Sequence, residues 1–470
     1  MSKKITAVLA LSTLSLALSQ VAFASGYHFG TQSVSAQSTA NSSTAEAADP
    51  STIFYNPAGL TYLEGTQVSG SLDLVVPSVR YKNAVAYYPS GSSKTVSGQT
   101  SGKITENLIA VPHLYASHKI NDRWIAGLGI YVPFASATEY DTTSVLRYNV
   151  NKTKLTSIDI NPAIAYKLND KHSIGVGVIA QYTKAELRQF SNWGAFLGKN
   201  GALDGMANVS GDDWGIGYNL GWLWDVNDKV RVGASYRSQI RHTLKGDAEW
   251  SFADTVSSAA EAAYGPTVRS MGYVAKEGAK VDIVTPASLS VHGMWKASPK
   301  WNIFGDVTWT EHSKFNNLNI VFDNYKVVAN AVSGGATKSN TTTLKPNWRD
   351  TYKFALGASY QVSKPWQVRF GLAYDQSPVR SADDRLSTMP DNDRIWLSAG
   401  VKYDLNKNSS LDVAYSYIII KNSSANVNGW CGSSSASGSS ATNCVSSRTY
   451  GSADYNSKAQ ILGVSYTYRF

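Results

Sequence analysis

The sequence predicts an all-β fold, a fourteen-stranded antiparallel barrel that spans a membrane and carries an N-terminal plug in its lumen. Three observations point there: a secretory leader opens the chain, no apolar helix follows it, and strand-like segments alternate with six short turn clusters and seven long polar stretches.

The leader comes first. Met1-Ser2-Lys3-Lys4 is a basic start, Ile5 to Leu18 is apolar, and Ala22-Phe23-Ala24 is a small-x-small cleavage site. The apolar stretch is short for a membrane span and is broken by Ser12, Ser15 and Ser19, so residues 1–24 are expected to be removed and the mature chain to begin near Ser25. Beyond it no run approaches the ~18 apolar residues that a membrane helix needs. A mean hydropathy of −0.22 suits a soluble protein. Yet 27 Tyr, 13 Trp and 37 Gly against 2 Cys and 16% charged residues describe a chain rich in aromatics and glycine and poor in charge. That composition fits a barrel whose outer face meets lipid, with aromatics at both interfaces. A bacterial outer membrane, crossed many times, is the expected location, with outer-membrane lipid and the barrel-assembly machinery as partners and the monomer as the working state.

Residues 25–64 do not alternate. They hold Ala45-Glu46-Ala47-Ala48-Asp49-Pro50 and Ile53-Phe54-Tyr55-Asn56-Pro57-Ala58-Gly59-Leu60. A tail with that apolar content would be poorly solvated, whereas the lumen of a fourteen-strand barrel is wide enough to accept it as a hatch. The barrel is then expected to occupy residues 65–470.

Six turn clusters punctuate the barrel region: residues 119–123, 167–171, 225–229, 296–300, 362–365 and 404–408. Asn and Asp tolerate left-handed backbone and bond their own main chain, and Pro fixes φ, so each cluster is a hairpin signal. About 11 to 16 strand-like residues flank each turn, close to what a tilted membrane strand needs. Trp366, Val368, Phe370, Leu372 and Tyr374 alternate with Gln367, Arg369, Gly371 and Ala373, and Leu411, Val413, Tyr415 and Tyr417 with Asp412, Ala414 and Ser416. Seven long polar stretches, about 82–101, 135–152, 190–210, 246–279, 316–349, 377–392 and 422–456, make up the remaining connections. Seven long and six short connections give fourteen strands, with both ends of the barrel on the short-turn side. A soluble sandwich or propeller also alternates, but it explains neither the two lengths of connection nor the leader. The last strand ends on Tyr466, Tyr468 and Phe470 on one face, which resembles the terminal signature of outer-membrane barrels.

Cys431 and Cys444, the two cysteines, lie in a Gly/Ser-rich stretch, and an exported protein can keep such a pair oxidised, so a loop disulfide is expected. The alternative, a metal clip, lacks any His, Asp or Glu beside them. The net charge of +9 has no lysine or arginine cluster beside a nucleic-acid motif, and nucleic acid is set aside as a partner.

With these elements in place, the sequence resembles the FadL-type family of long-chain fatty acid transporters, which includes aromatic-hydrocarbon uptake barrels. Asn56-Pro57-Ala58 looks like that family's hatch motif. Asp213-Trp214-Gly215-Ile216-Gly217-Tyr218-Asn219, Ser235-Tyr236-Arg237-Ser238, Ala373-Tyr374-Asp375-Gln376-Ser377-Pro378-Val379 and Pro390-Asp391-Asn392-Asp393-Arg394-Ile395-Trp396 follow in the family's order. The resemblance implies passive uptake of an apolar ligand through an external groove and an inner cavity, with sideways release at a kink of the third strand. Here that strand is Arg123 to Phe134, where Gly127 and Gly129 weaken pairing and Pro133 lacks a ladder donor. Pro133 at a plain strand end is the alternative. The resemblance also implies basic side chains for a fatty carboxylate, and carries that role to Arg188 and Arg349, for each of which a solvated rim charge is the alternative. The planar guanidinium suits a carboxylate because it donates two bonds at once. Ser35, Ser38, Thr39, Ser42, Ser43 and Thr44 replace much of the family's glycine-rich N-terminal stretch, which leaves fatty acid against hydrocarbon open.

No enzymatic activity and no cofactor or metal is expected. Gly215-Ile216-Gly217 and Gly175-Val176-Gly177 do not open a helix after a strand, so they are no nucleotide motif, and the histidines lack metal spacing. A barrel lipase would need a His beside a Ser, for which His113 or His242 are the candidates. An adhesin would use the long loops and needs no inner cavity, so an apolar cavity under the hatch distinguishes transport from adhesion.

Overall fold

The computed structural model describes residues 27–88, 95–329, 335–431 and 442–470; the predicted leader and cleavage site lie outside them. Fourteen strands form the wall: β1 Thr66–Tyr87, β2 Ile109–Lys119, β3 Trp124–Tyr131 resuming at Ala135–Glu139, β4 Lys152–Lys167, β5 His172–Asn192 and β6 Asp204–Asp225. Four interrupted strands follow: β7 Val230–Arg237 with Ile240–Phe252, β8 Lys276–Thr285 with Ser288–Lys296, β9 Trp301–Thr310 with Leu318–Ala329, and β10 Ala336–Lys345 with Thr351–Gln361. β11 Trp366–Asp375, β12 Arg394–Asp404, β13 Ser409–Ile420 and β14 Tyr450–Arg469 complete the set. Each pairs antiparallel with the next, and β14 returns to β1 from Gln67↔Arg469 to Tyr87↔Tyr450, closing the barrel and leaving no edge strand.

All six turn clusters fall between consecutive strands at one end, and in four of them an Asn side chain caps the turn. Asn121 Oδ1, for example, accepts from the amides of Arg123 and Trp124 at 2.9 Å. The strands run longer than the flanking segments suggested: β1 and β6 have 22 residues each and β5 has 21. Above the lipid both faces of a strand are polar, so the apolar alternation that marks a wall strand disappears while the ladder continues. For the same reason the stretch 316–349 holds the β9–β10 hairpin, and 246–279 holds the end of β7 and a helix, Ser258–Ser270.

The outer face is apolar around the barrel, with Leu72, Val76, Val178, Ile216, Leu356 and Leu372 exposed. Aromatic pairs flank the short turns: Trp124–Tyr166 at 4.5 Å, Trp301–Tyr360 at 4.7 Å and Trp366–Tyr403 at 4.4 Å between ring centroids. Amphipathic rings at that level form the interfacial girdle of a membrane barrel. Among the described residues no helix is long and apolar enough to cross a membrane.

The segment before β1 folds inside the wall as α1 Val34–Gln37, α2 Thr52–Tyr55 and two 3₁₀ helices, Thr44–Glu46 and Pro57–Tyr62. Ser33 caps α1 by accepting from the Ala36 amide at 3.1 Å. Most of its serines and threonines are buried, and several bond one another or its own carbonyls, as Ser38 does to Ser35 O and Ser42 to Thr39 O. Ser35 Oγ donates to Asp49.

Candidate ligand cavity and lateral recess

The hatch is fastened to the wall through Asn56. Its Oδ1 accepts from the Ala58 amide at 3.0 Å, capping the turn that Pro57 begins, while Nδ2 reaches Trp222 O at 3.1 Å, Ala234 O at 3.3 Å and His292 Nε2 at 2.9 Å. Gly175 and Gly221 face this motif: a Cβ on Gly175 would lie 2.3 Å from the Pro57 carbonyl carbon, and one on Gly221 2.0 Å from Asn56 Oδ1. Only a wall without side chains at these positions admits the hatch so closely. Asn219 adds a bond to Ile53 O at 2.7 Å, and Arg369 pairs with Glu46 at 3.4 Å.

Between hatch and wall lies a cavity of about 110 Å³, lined by hatch residues His28, Thr44 and Phe54 and by wall residues Arg237, Asp306 and Lys353. Arg237 pairs with buried Asp159 at 3.0 Å, donates to the Tyr131 hydroxyl at 2.8 Å and lies 4.4 Å over the Phe54 ring. Lys353 stands 4.5 Å over the Trp396 ring, and among the described residues no carboxylate is within ion-pair distance of it. Its cross-strand neighbour Asp375 is engaged instead by Arg394 at 4.0 Å. Burial first, and then the nearby His312, Lys353, Arg237 and Arg394, push the His28 imidazole down to about 3, so it enters the cavity neutral.

Above this cavity a second pocket is almost wholly apolar, lined by Leu155, Leu187, Leu244, Ile283, Ile320 and Met389 among others. An aromatic floor separates the two. Tyr27 of the hatch packs against Phe315 at 4.6 Å and stacks on Trp348 at 5.6 Å, and its hydroxyl donates to Val284 O.

The third strand breaks at Val132-Pro133-Phe134. β2 and β3 pair from Lys119↔Ile125 to Leu114↔Ile130; past that point β3 resumes only against β4, and Ile109–His113 of β2 have no strand on that side. The hatch satisfies the freed backbone: Phe29 N donates to Pro133 O at 2.9 Å, Ala135 N to Tyr27 O at 2.7 Å, and Gln32 Nε2 to Val132 O at 2.8 Å. On the outer side of this break is a recess of about 440 Å³, lined by Leu72, Leu114, Ile130, Tyr131, Val132 and Ile158 among others. Tyr131 divides it from the inner cavity, with Phe54 edge-on at 5.1 Å.

Some expected site residues stand elsewhere. Gly127 and Gly129 lie in unbroken ladder below the break. A Cβ on Gly127 would meet Ile53 of the hatch at 2.6 Å, and one on Gly129 the rings of Tyr131 and Tyr115 at 2.9 and 3.0 Å. They make room for the hatch and for the tyrosines; they do not weaken the pairing. Arg188 does not line the inner cavity: Glu139 holds it at 2.8 Å and Asn151 at 2.6 Å near the external rim. Arg349 is half-buried with Nε on Ser377 O at 3.3 Å, and its neighbour Trp348 faces inward instead. The inward cations that sequence reasoning passed over, Arg237 and Lys353, carried a usable signal: each shares the inner parity of its strand with small or hydroxyl residues, Ser235 and Thr351.

A second interruption lies between β6 and β7, whose ladder is absent from Asp213 to Tyr218; there Ile240 packs 2.5 and 2.6 Å from where Cβ atoms on Gly215 and Gly217 would lie, closing the wall. His113 pairs with buried Asp73 at 3.1 Å, and His242 Nε2 lies 3.0 Å from Gln181 Oε1; among the described residues neither has a serine hydroxyl within hydrogen-bond distance. Cys431 and Cys444 are joined by a disulfide, their Cα atoms 5.3 Å apart.

A closed fourteen-strand barrel with a bonded inner hatch, a cavity above the hatch and a recess through its wall defines the class of outer-membrane transport barrels. The chain belongs to the outer membrane protein transport protein family (OMPP1/FadL/TodX), whose model matches residues 15–470. It is an outer-membrane transporter of hydrophobic compounds, and the family is one of transporters, not of enzymes. It is 50% identical over 464 residues to an outer membrane protein of Neisseria meningitidis serogroup B, covering 95% of both chains. It is 28% identical over 388 residues to a long-chain fatty acid transport protein of Escherichia coli O6:H1, covering 79% of this chain and 81% of the other. The crystal structure of a Pseudomonas aeruginosa FadL homologue superposes with a TM-score of 0.79 at 22% identity, covering 95% of this chain and all (100%) of the other. The Pseudomonas putida toluene transporter TodX superposes with 0.64 at 18% identity, covering 96% and 100%.

Proposed function

We propose that this barrel takes up long-chain fatty acids by passive diffusion, the carboxylate resting against Lys353 and Arg237 in the inner cavity. The observation that carries the reading is Lys353, an inward cation without a carboxylate partner among the described residues, beside Arg237 and neutral His28. Lys353 is half-buried and faces the cavity with no ion pair among the described residues, and an incoming carboxylate would supply the charge-assisted partner it lacks. The chain of the ligand would first lie in the apolar pocket above the Tyr27–Phe315–Trp348 floor, at ~0.8 kcal/mol per buried CH₂. It would then pass the hatch and leave through the recess beside Val132 and Pro133. Each partition on this path has a hatch side chain in it, Tyr27 in the floor and Phe54 against the wall's Tyr131, so a small hatch movement would loosen it at two points. No ATP or ion coupling is needed for such a path.

The nearly apolar upper pocket favours a second reading, aromatic hydrocarbon uptake. The test is titration of the refolded full chain with a fluorescent long-chain fatty acid, with toluene as competitor, for wild type and Lys353→Met. Saturable binding that weakens tenfold or more in the variant supports carboxylate capture. Binding that toluene abolishes and Lys353→Met leaves intact supports the hydrocarbon reading.

A further inference from the structure

The outer face of β13, β14 and β1 changes character at one level. Reading up β14, the outward residues are Tyr468, Tyr466, Val464 and Leu462, then Gln460 and Lys458; on β1 they are Val68, Leu72 and Val76, then Ser78, Arg80 and Lys82. Ten residues separate Tyr468 from Lys458. At ~3.3 Å per residue and a tilt of about 40° they climb roughly 25 Å, the height of the apolar band of such barrels. The bases above it therefore stand at the headgroup level of the external leaflet.

Five lie together there: Arg80 and Lys82 on β1, Lys458 on β14, Lys421 just past β13, and Lys103 in the short strand Gly102–Lys103 that pairs with β1. Among the described residues none has a carboxylate within 4.0 Å. The acidic group facing them, Asp454 opposite Lys82, is already bonded by Asn83 at 2.8 Å and Ser424 at 2.7 Å. Lys103 Nζ holds only neutral oxygens, Glu106 O and Asn107 Oδ1. Several other bases of the upper strands have acidic partners: Lys276 with Asp247 at 2.9 Å, Lys184 with Glu186 at 3.3 Å and Lys152 with Glu139 at 3.6 Å; and where two lysines face each other at Lys245↔Lys280, Lys245 has Asp212 as its neighbour on the other strand. Moreover, Arg80 and Lys103 are direct cross-strand partners, a like-charge pairing that destabilises a sheet unless an anion bridges it.

We propose that this face docks a phosphate-bearing lipid of the external leaflet, its phosphates bridging Arg80, Lys103 and Lys458 and its acyl chains lying on Leu72, Val76, Leu462 and Val464. Guanidinium and ammonium groups are the donors that phosphate oxygens take best, and the apolar strip directly beneath selects a lipid over free phosphate. Leu72 and Val464 also line the recess outside the β3 break, so the acyl chains would border that recess, while the phosphate contacts do not depend on what the barrel transports.

The test is native mass spectrometry of the refolded full chain, offered a diphosphorylated acylated glucosamine disaccharide or its dephosphorylated counterpart. Wild type should retain the phosphorylated lipid at least tenfold better. The variant R80Q/K82Q/K103Q/K458Q should lose that preference, and K152Q/K184Q/K276Q should keep it, both checked for folding by heat-modifiable migration. Equal retention of the two lipids by wild type overturns the proposal without recourse to any variant. So does wild-type preference in the quadruple variant, or displacement of the lipid by equimolar inorganic phosphate.

Discussion

Asn56 Nδ2 lies 2.9 Å from His292 Nε2, deep in the lumen. Because Asn56 Oδ1 already accepts from Ala58 N, its Nδ2 must donate. His292 Nε2 is then the acceptor, and its ring proton sits on Nδ1, facing Ser290 Oγ at 2.9 Å, which in turn donates to Asp306 at 2.8 Å. Asp306 also accepts from Thr44 of the hatch at 3.0 Å, so one relay of bonds ties two hatch segments to β8 and β9.

Asn56→Ala removes the cap and all three wall contacts of that side chain. The loss should be about 2–3 kcal/mol, confined to the hatch. Hydrogen exchange of the amides from Asn56 to Leu63 should quicken ten- to a hundredfold while the β11–β12 ladder keeps its protection. Equal loss in both would mean that hatch and wall unfold as one unit.

The two cavity cations should respond differently to truncation. Arg237→Ala strands Asp159, whose side chain is fully buried, and should cost roughly 3–5 kcal/mol, seen as a lower denaturant midpoint of the refolded barrel. Lys353→Met breaks no ion pair, and its neighbour Asp375 keeps Arg394, so the variant should stay within about 1 kcal/mol of wild type. A Lys353→Met barrel as unstable as Arg237→Ala would show that the lysine serves the wall.

If the apolar chain of the ligand supplies the affinity, lengthening it should tighten binding until the upper pocket is full. Each added CH₂ contributes ~0.8 kcal/mol, or roughly a fourfold change. A decanoate-to-palmitate series measured by competition should show this slope in wild type and in Lys353→Met alike, offset by a constant factor. A flat series would remove the upper pocket from the path.

The wall was legible because its signals are local and repeated. Asn121, Asn169, Asn227 and Asn406 each cap a turn at the predicted place, and the parity of Leu411 to Tyr417 gives the outer face of β13. The upper strands were not, since Leu318–Ala329 and Ala336–Lys345 pair above the lipid, where composition no longer separates strand from loop. Nor was the fate of each arginine. Arg188 is neutralised by Glu139, 49 residues away in sequence, and no spacing reports such a partner. Gly127 and Gly129 read as weak points because glycine usually weakens strands; the hatch atoms that require them there belong to Ile53 and to the Tyr115–Tyr131 stack.

The disulfide should matter for the external loops alone. Cys431–Cys444 closes a 13-residue separation, and Cys444-Val445 pairs with Leu344-Lys345 of β10. A loop of that size stabilises by about 3 kcal/mol through the unfolded state. Cys431→Ser with Cys444→Ser should therefore expose the segment after Val427 to added protease while heat-modifiable migration of the barrel is unchanged. Protease resistance equal to wild type would assign the protection to the contacts of Asn443, whose side-chain amide donates to Arg385 O at 2.7 Å.

Sideways release makes a demand that a vertical path does not. The recess outside the β3 break must stay open while the inner cavity fills, so binding and flux should come apart on substitution. Val132 and Ile158 line the recess and do not touch the inner cavity. Val132→Trp with Ile158→Trp should fill much of the recess, leave equilibrium fatty-acid binding within about twofold, and slow uptake into loaded vesicles by tenfold or more. The Tyr131→Phe barrel should do the reverse: it removes the hydroxyl that Arg237 and Asn161 hold at 2.8 Å, loosens the partition and quickens uptake. Equal uptake by the tryptophan variant and wild type would place the way out elsewhere, at the hatch or at the β6–β7 seam closed by Ile240.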